Sequence, residues 1–262
     1  MITPWPFVVL MGALGLAIGS FLNVVIYRVP REESIVFPAS HCPKCDAPIK
    51  NRHNVPVLSW LVLGGRCACC HVRISARYPL VEAGTGMLFA AIALHFGLTL
   101  QLPAYLYFAS IAVALAMISF DVRRLPDSIV LPSYVISVLL LMPAGAVQSD
   151  LWAGERGLIG MVGLLTLYFA LALAYPNGLS FGDVKLAGLL GLYLGWLSWG
   201  ALLVGVFGSF VIAGIGGAAA IATKRGARNM AVPVGPCLIA AALISVFVTA
   251  PVTGWYGSLL TV

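Results

Sequence analysis

Asp121 and Asp183 stand at the ends of strongly apolar runs, in Ser119-Phe120-Asp121-Val122-Arg123-Arg124-Leu125-Pro126-Asp127 and Ser180-Phe181-Gly182-Asp183-Val184-Lys185-Leu186. A carboxylate at the centre of a membrane helix costs about 2.5–3.5 kcal/mol on insertion scales, so acids in such runs are candidates for function. Two carboxylates that share a site cannot both ionise cheaply. They hold one proton between them; the ionised member activates water and the protonated member polarises a scissile carbonyl, as in aspartic proteases. The plainer alternative leaves Asp121 balancing Arg123 or Arg124, and Asp183 capping a helix, a position aspartate favours. Asp127, after Pro126, fits the N-terminal charge of a helix. Glu82, near the start of another apolar run, either neutralises Arg77 or faces a cavity.

A second chemistry lies in Cys42-Pro43-Lys44-Cys45 and Cys67-Ala68-Cys69-Cys70. Two CxxC pairs separated by residues 46–66 have the arrangement of a zinc ribbon. Four thiolates satisfy a tetrahedral ion, zinc or iron, and a segment too small to build a core can use the metal as one. A reducing compartment disfavours the rival reading of two structural disulfides. Cys69 is spare, and His41 or His71 offers a substitute ligand. Cys237, inside the last apolar run, fits a small buried hydrophobe.

The elements that must position these groups follow from composition. The chain has 262 residues, 61% hydrophobic and 9% charged, with a mean hydropathy of +1.00, against roughly 25% charged in an average soluble domain. A bilayer span needs about 20 mostly apolar residues. Such runs occupy about 5–27, 79–98, 102–120, 128–146, 156–175, 184–198, 199–222 and 232–250. We therefore expect an all-α polytopic membrane protein, a bundle of about eight transmembrane helices with a small cytoplasmic zinc-ribbon-like loop domain. The boundaries fall at 1–29 for the first span, 30–78 for the cysteine-rich loop and 79–262 for a seven-helix membrane domain. The first run lacks a basic n-region and continues into Asn23 and Arg28 with no cleavage site, so it is expected to be retained. Gly205, Gly208, Gly214 and Gly217 are candidates for close helix approach.

The net charge of +6 reports topology rather than a nucleic-acid partner. Fourteen of the 15 basic residues follow odd-numbered spans, and only Arg156 lies on the other side. The positive-inside rule makes the basic face cytoplasmic, with both termini outside. Asp121 and Asp183 then return to the same edge of the membrane, because the chain crosses outward and back between them.

At these residues the sequence resembles the type IV prepilin leader peptidase family, within the GxGD-type membrane aspartic proteases. The likeness runs through Gly19-Ser20-Phe21-Leu22-Asn23-Val24-Val25-Ile26-Tyr27-Arg28, both CxxC pairs, Asn54-Val55-Pro56, Ser59-Trp60 and Ser75–Glu82. It continues at Asp121 with Arg123 and Pro126-Asp127, and at Gly182-Asp183-Val184-Lys185-Leu186. One departure is Ser180, where the GxGD pattern has glycine. The resemblance implies catalysis by Asp121 and Asp183 with Gly182, Lys185, Asp127 and Glu82 in support, while the cysteine spacing points to a metal, zinc, on Cys42, Cys45, Cys67 and Cys70. It further implies prepilin or pseudopilin substrates cleaved after a glycine at the inner membrane. Members with the cysteine loop often N-methylate the new terminus with S-adenosylmethionine; no glycine-rich fingerprint marks a methyl-donor site here.

Two other classes stay open on the residues alone. A transporter would relay protons or ions through Asp121, Asp183 and Glu82, but corresponding broken helices in two halves are not evident. A non-catalytic zinc-binding membrane scaffold would tolerate Asp121→Asn and Asp183→Asn.

Overall fold

The structure, a computed structural model, describes residues 4–42, 44–50, 53–148, 151–175, 178–222 and 234–260. The regular elements among them are helices: α1 (Trp5–Arg28), α2 (Leu58–Val62), α3 (Arg77–Phe96), α4 (Leu102–Val122), α5 (Asp127–Gln148), α6 (Leu151–Ala174), α7 (Phe181–Leu197), α8 (Trp199–Ala222) and α9 (Val234–Leu260). Each expected span corresponds to one long helix, with α6 beginning at Leu151 rather than at residue 156. Helices α1, α3, α4, α5, α6 and α8 are each long and apolar enough to cross a membrane, whereas α7 has only 17 residues. The chain forms two compact units, residues 1–114 and 115–262.

In the first unit α1 packs on α3 through Gly15 and Gly19. A Cβ at Gly19 would lie 2.7 Å from the Cα of Glu82, so only small residues let these backbones approach. Buried Arg28 ends α1 and donates to the carbonyls of Ser34 (2.9 Å) and Pro38 (2.7 Å), which satisfies a charge that would otherwise be costly to bury. The Glu82 carboxylate accepts the Val57 amide at 2.7 Å and thereby fixes the lead into α2. Val57 has φ 61°, a conformation unfavourable for a β-branched residue, held by its surroundings. Glu82 thus anchors the loop to α3.

In the second unit α7 is the hub, packed by α5, α6, α8 and α9. Its mean apolarity has no preferred face, and 13 of its 17 residues are buried, the pattern of a helix surrounded by protein. Against α6 the approach is backbone to backbone: a Cβ at Gly160 would lie 2.5 Å from the Gly191 carbonyl oxygen, and one at Gly195 equally close to that of Arg156. These were not the glycines picked out from sequence. Of those, Gly205 and Gly208 do meet Leu194 and Ala241, whereas Gly214 and Gly217 face open space. Hydroxyls tie the remaining neighbours: Tyr193 donates to Ser137 on α5 at 2.7 Å, Tyr134 of α5 to the Lys185 carbonyl at 2.5 Å, and Ser245 of α9 to the Ala201 carbonyl at 2.6 Å.

Candidate active site

Helix α4 stops because the backbone turns left-handed at Arg123 (φ 52°), and Pro126 then precedes the first residue of α5. Arg123 and Arg124 fall where the helix C-terminus favours positive charge. Asp121 stands on the last turn of α4 with its side chain exposed. Asp183 enters from the other direction, in the first turn of α7, where a helix N-terminus favours a carboxylate. It is buried, at 8% exposure.

Asp183 is not the N-cap. Ser180 is, and Asp183 is the third helical residue of a reciprocal capping box. The Asp183 amide donates to the Ser180 hydroxyl oxygen at 3.2 Å, while the Ser180 hydroxyl and amide donate to Asp183 Oδ2 at 2.8 and 3.0 Å. The other oxygen faces α9: a Cβ placed on Gly235 would be 3.0 Å from Asp183 Oδ1 and 3.3 Å from Ser119 Oγ. Leu125 completes the junction, with its Cβ 3.0 Å from where a side chain at Gly182 would begin. The end of α4, the Leu125 turn and the starts of α7 and α9 therefore converge. Asp121 is two residues from Ser119, and Asp183 is part of the contact itself.

Lys185 and Asp127 are paired, with Nζ 2.8 Å from both carboxylate oxygens. Asp127 therefore joins α5 to α7 as well as charging the start of its own helix. Ser119, Leu125 and Gly235 were missed in the sequence. Gly235-Pro236 opening an apolar run was the available signal for the last. Ser180-x-x-Asp183 is itself a capping-box signature in the sequence.

The cysteine loop is built from two equivalent knuckles. Cys42 donates its amide to the Ala47 carbonyl (3.0 Å) and receives Asp46 (2.9 Å); Cys67 donates to Val72 (2.9 Å) and receives His71 (3.0 Å). Asp46 and His71 hold matching left-handed positions, φ 51° and 56°. The sulfurs of Cys42, Cys45, Cys67 and Cys70 all lie within 4.8 Å of one another, and the Cys42 and Cys70 sulfurs are 3.8 Å apart. A tetrahedral ion with sulfurs at about 2.3 Å sets them about 3.8 Å apart, so the donor set fits zinc. Amides of Cys70 and Cys69 lower the Cys67 thiol to about 6. Cys45 goes the other way: the Ala47 amide lowers it, but burial and the thiols of Cys70 and Cys42 outweigh that and push it up to about 12. Four clustered thiols cannot all ionise together without a cation among them.

This is a multi-pass, all-helical membrane protein with a four-cysteine cluster in one unit and an acid-bearing helix junction in the other. Residues 13–96 match the bacterial peptidase A24 N-terminal domain and residues 106–218 the type IV leader peptidase family. A prepilin leader peptidase/N-methyltransferase of Stutzerimonas stutzeri is 32% identical over 97% of this chain and 94% of its own length. Those of Pseudomonas putida (34%, 93% and 91%) and Neisseria gonorrhoeae (35%, 89% and 88%) are similar in extent. No solved structure matches this chain significantly. The chain belongs to the type IV leader peptidase family, and is a membrane peptidase of the bacterial inner membrane.

Proposed function

We propose that this protein removes the basic leader from type IV prepilins or pseudopilins through Asp121 and Asp183, and N-methylates the new terminus. The observation that carries the peptidase reading is the buried Asp183 carboxylate, aimed at Gly235 where α4, bearing Asp121 on its last turn, meets α7 and α9. A water oxygen bonds to the scissile carbonyl carbon as its proton passes to the ionised carboxylate; the protonated partner gives its proton to the carbonyl oxygen. Collapse of the tetrahedral species breaks the C–N bond, and the amine nitrogen takes up a proton as it leaves. Cleavage at the membrane edge suits this chemistry, because a bond outside the substrate's helix needs less unwinding than one at mid-bilayer.

In this reading the positive-inside rule puts Asp121, Asp183 and the cysteine loop on the cytoplasmic face, with both termini outside. Cys42, Cys45, Cys67 and Cys70 would hold zinc as the core of the loop, a structural role. S-adenosylmethionine would supply the methyl group. No glycine-rich fingerprint marks its site among the described residues, and the hydrolytic step runs without it. Pilus, type II secretion and competence precursors share the features on which this reading relies. Lipid is the surrounding medium, and nothing favours nucleic acid. No comparison supports ion transport.

The test is cleavage of a leader-bearing prepilin by the purified protein in lipid, wild type beside Asp121→Asn and Asp183→Asn. Loss of mature product in both folded variants is expected. Normal cleavage by either removes the dyad.

A further inference from the structure

Ser180 is the residue at which this chain leaves the GxGD pattern, and it is also the residue that holds Asp183. We propose that Ser180 is a positioning residue for peptide cleavage: its hydroxyl and amide together fix Oδ2 of Asp183, so that Oδ1 is the oxygen presented to the junction. This rests on the aspartate-dyad reading above and adds to it a role for a side chain that a glycine could not play.

The carboxylate torsion of an aspartate is broad and roughly two-fold, so a single donor leaves it free to swing. Here two donors from one residue converge on one oxygen, the hydroxyl at 2.8 Å and the amide at 3.0 Å. The hydroxyl is itself oriented, because its oxygen accepts the Asp183 amide at 3.2 Å. Oδ1 is thereby directed at the place where a Gly235 side chain would stand, beside Ser119 Oγ. Glycine at 180 would keep the amide donor and lose the hydroxyl. The other neighbours do not replace it: Leu125 is apolar, and Lys185 is engaged by Asp127 on both carboxylate oxygens. Tyr168 of α6 lies within electrostatic reach of Asp183, but its hydroxyl is shared with Ser209 at 3.0 Å.

A plain capping role and a positioning role predict different orders of variants. At an N-cap, serine to alanine typically costs about 1 kcal/mol but serine to glycine only a few tenths. Capping alone therefore leaves Ser180→Gly close to wild type in melting temperature and in cleavage. Positioning predicts that Ser180→Gly melts near wild type yet loses about tenfold in kcat with KM within about twofold, as expected when a reacting group is misaligned. Ser180→Ala should lose as much kcat and melt lower, and Ser180→Thr, which keeps the hydroxyl, should recover to within about threefold.

The experiment is steady-state cleavage of a prepilin by the full-length protein in lipid nanodiscs, with melting temperatures, for these three variants and Asp183→Asn. Wild-type kcat in Ser180→Gly, with Asp183→Asn inactive, overturns the proposal and leaves the dyad standing. Cleavage by Asp183→Asn overturns both. Should Ser180→Ala fail to fold, the glycine and threonine variants decide the matter alone.

Discussion

The cysteine loop and the acid junction are built in opposite ways. Each knuckle of the loop closes over six residues, Cys42 to Ala47 and Cys67 to Val72, by local backbone hydrogen bonds and one left-handed residue. The acid junction joins Ser119, Leu125, Asp183 and Gly235, which the chain supplies from three distant segments, the end of α4 with its turn and the starts of α7 and α9. A local site tolerates change elsewhere, and four gathered thiols suit a cation among them. A junction depends on helix packing and on the absence of a side chain at one position.

The sharpest way to break that contrast is at the acids. Asp183→Asn and Asp121→Asn should lower cleavage by at least about 100-fold while zinc content by metal analysis stays at one equivalent, since removing a catalytic acid or base commonly costs 10²–10⁴. Zinc loss from either variant would mean that the two sites are not independent. Next is Gly235→Ala, whose Cβ would come within 3.0 Å of Asp183 Oδ1. Cleavage should fall about 10- to 100-fold with folding intact, because small misplacements of a reacting group are costly. Wild-type activity in this variant would show that the α9 wall is dispensable.

The reverse experiment is Cys67→Ser, or chelation of the wild type. The bound metal should be lost and the loop become sensitive to protease, because metal binding is folding energy for so small a unit. Cleavage should remain above that of the aspartate variants. A smaller effect is expected at Glu82→Gln, which weakens the hydrogen bond to the Val57 amide; a loss of about 1–2 kcal/mol in loop protection by hydrogen exchange is expected. The smallest is Lys185→Ala, which removes a half-exposed ion pair with Asp127 and should change stability by no more than about 1 kcal/mol.

Much of this was legible in order along the chain. Eight apolar runs gave eight long helices because a span's length and hydropathy are properties of consecutive residues. The CxxC spacing likewise foretold that four sulfurs would gather, because each pair is held by its own turn. The failures were matters of which face meets which. Gly214 and Gly217 have the spacing of a packing motif and face open space, whereas Gly157, Gly160, Gly191 and Gly195 carry the closest helix contact. Nothing in a uniformly apolar helix such as α7 tells its sides apart, so sequence could not choose its neighbours.

The same limit applies to the acids. Sequence by itself determined that Asp121 and Asp183 stand at the ends of apolar runs with two further long apolar runs between them. Only the tertiary structure decided that Ser180 binds Asp183 Oδ2, that Gly235 of α9 faces Oδ1, and that Glu82 accepts the Val57 amide. The physical reason is range. Hydropathy and turn chemistry act between neighbours in the chain, while the direction of a carboxylate is set by whichever distant backbones pack around it.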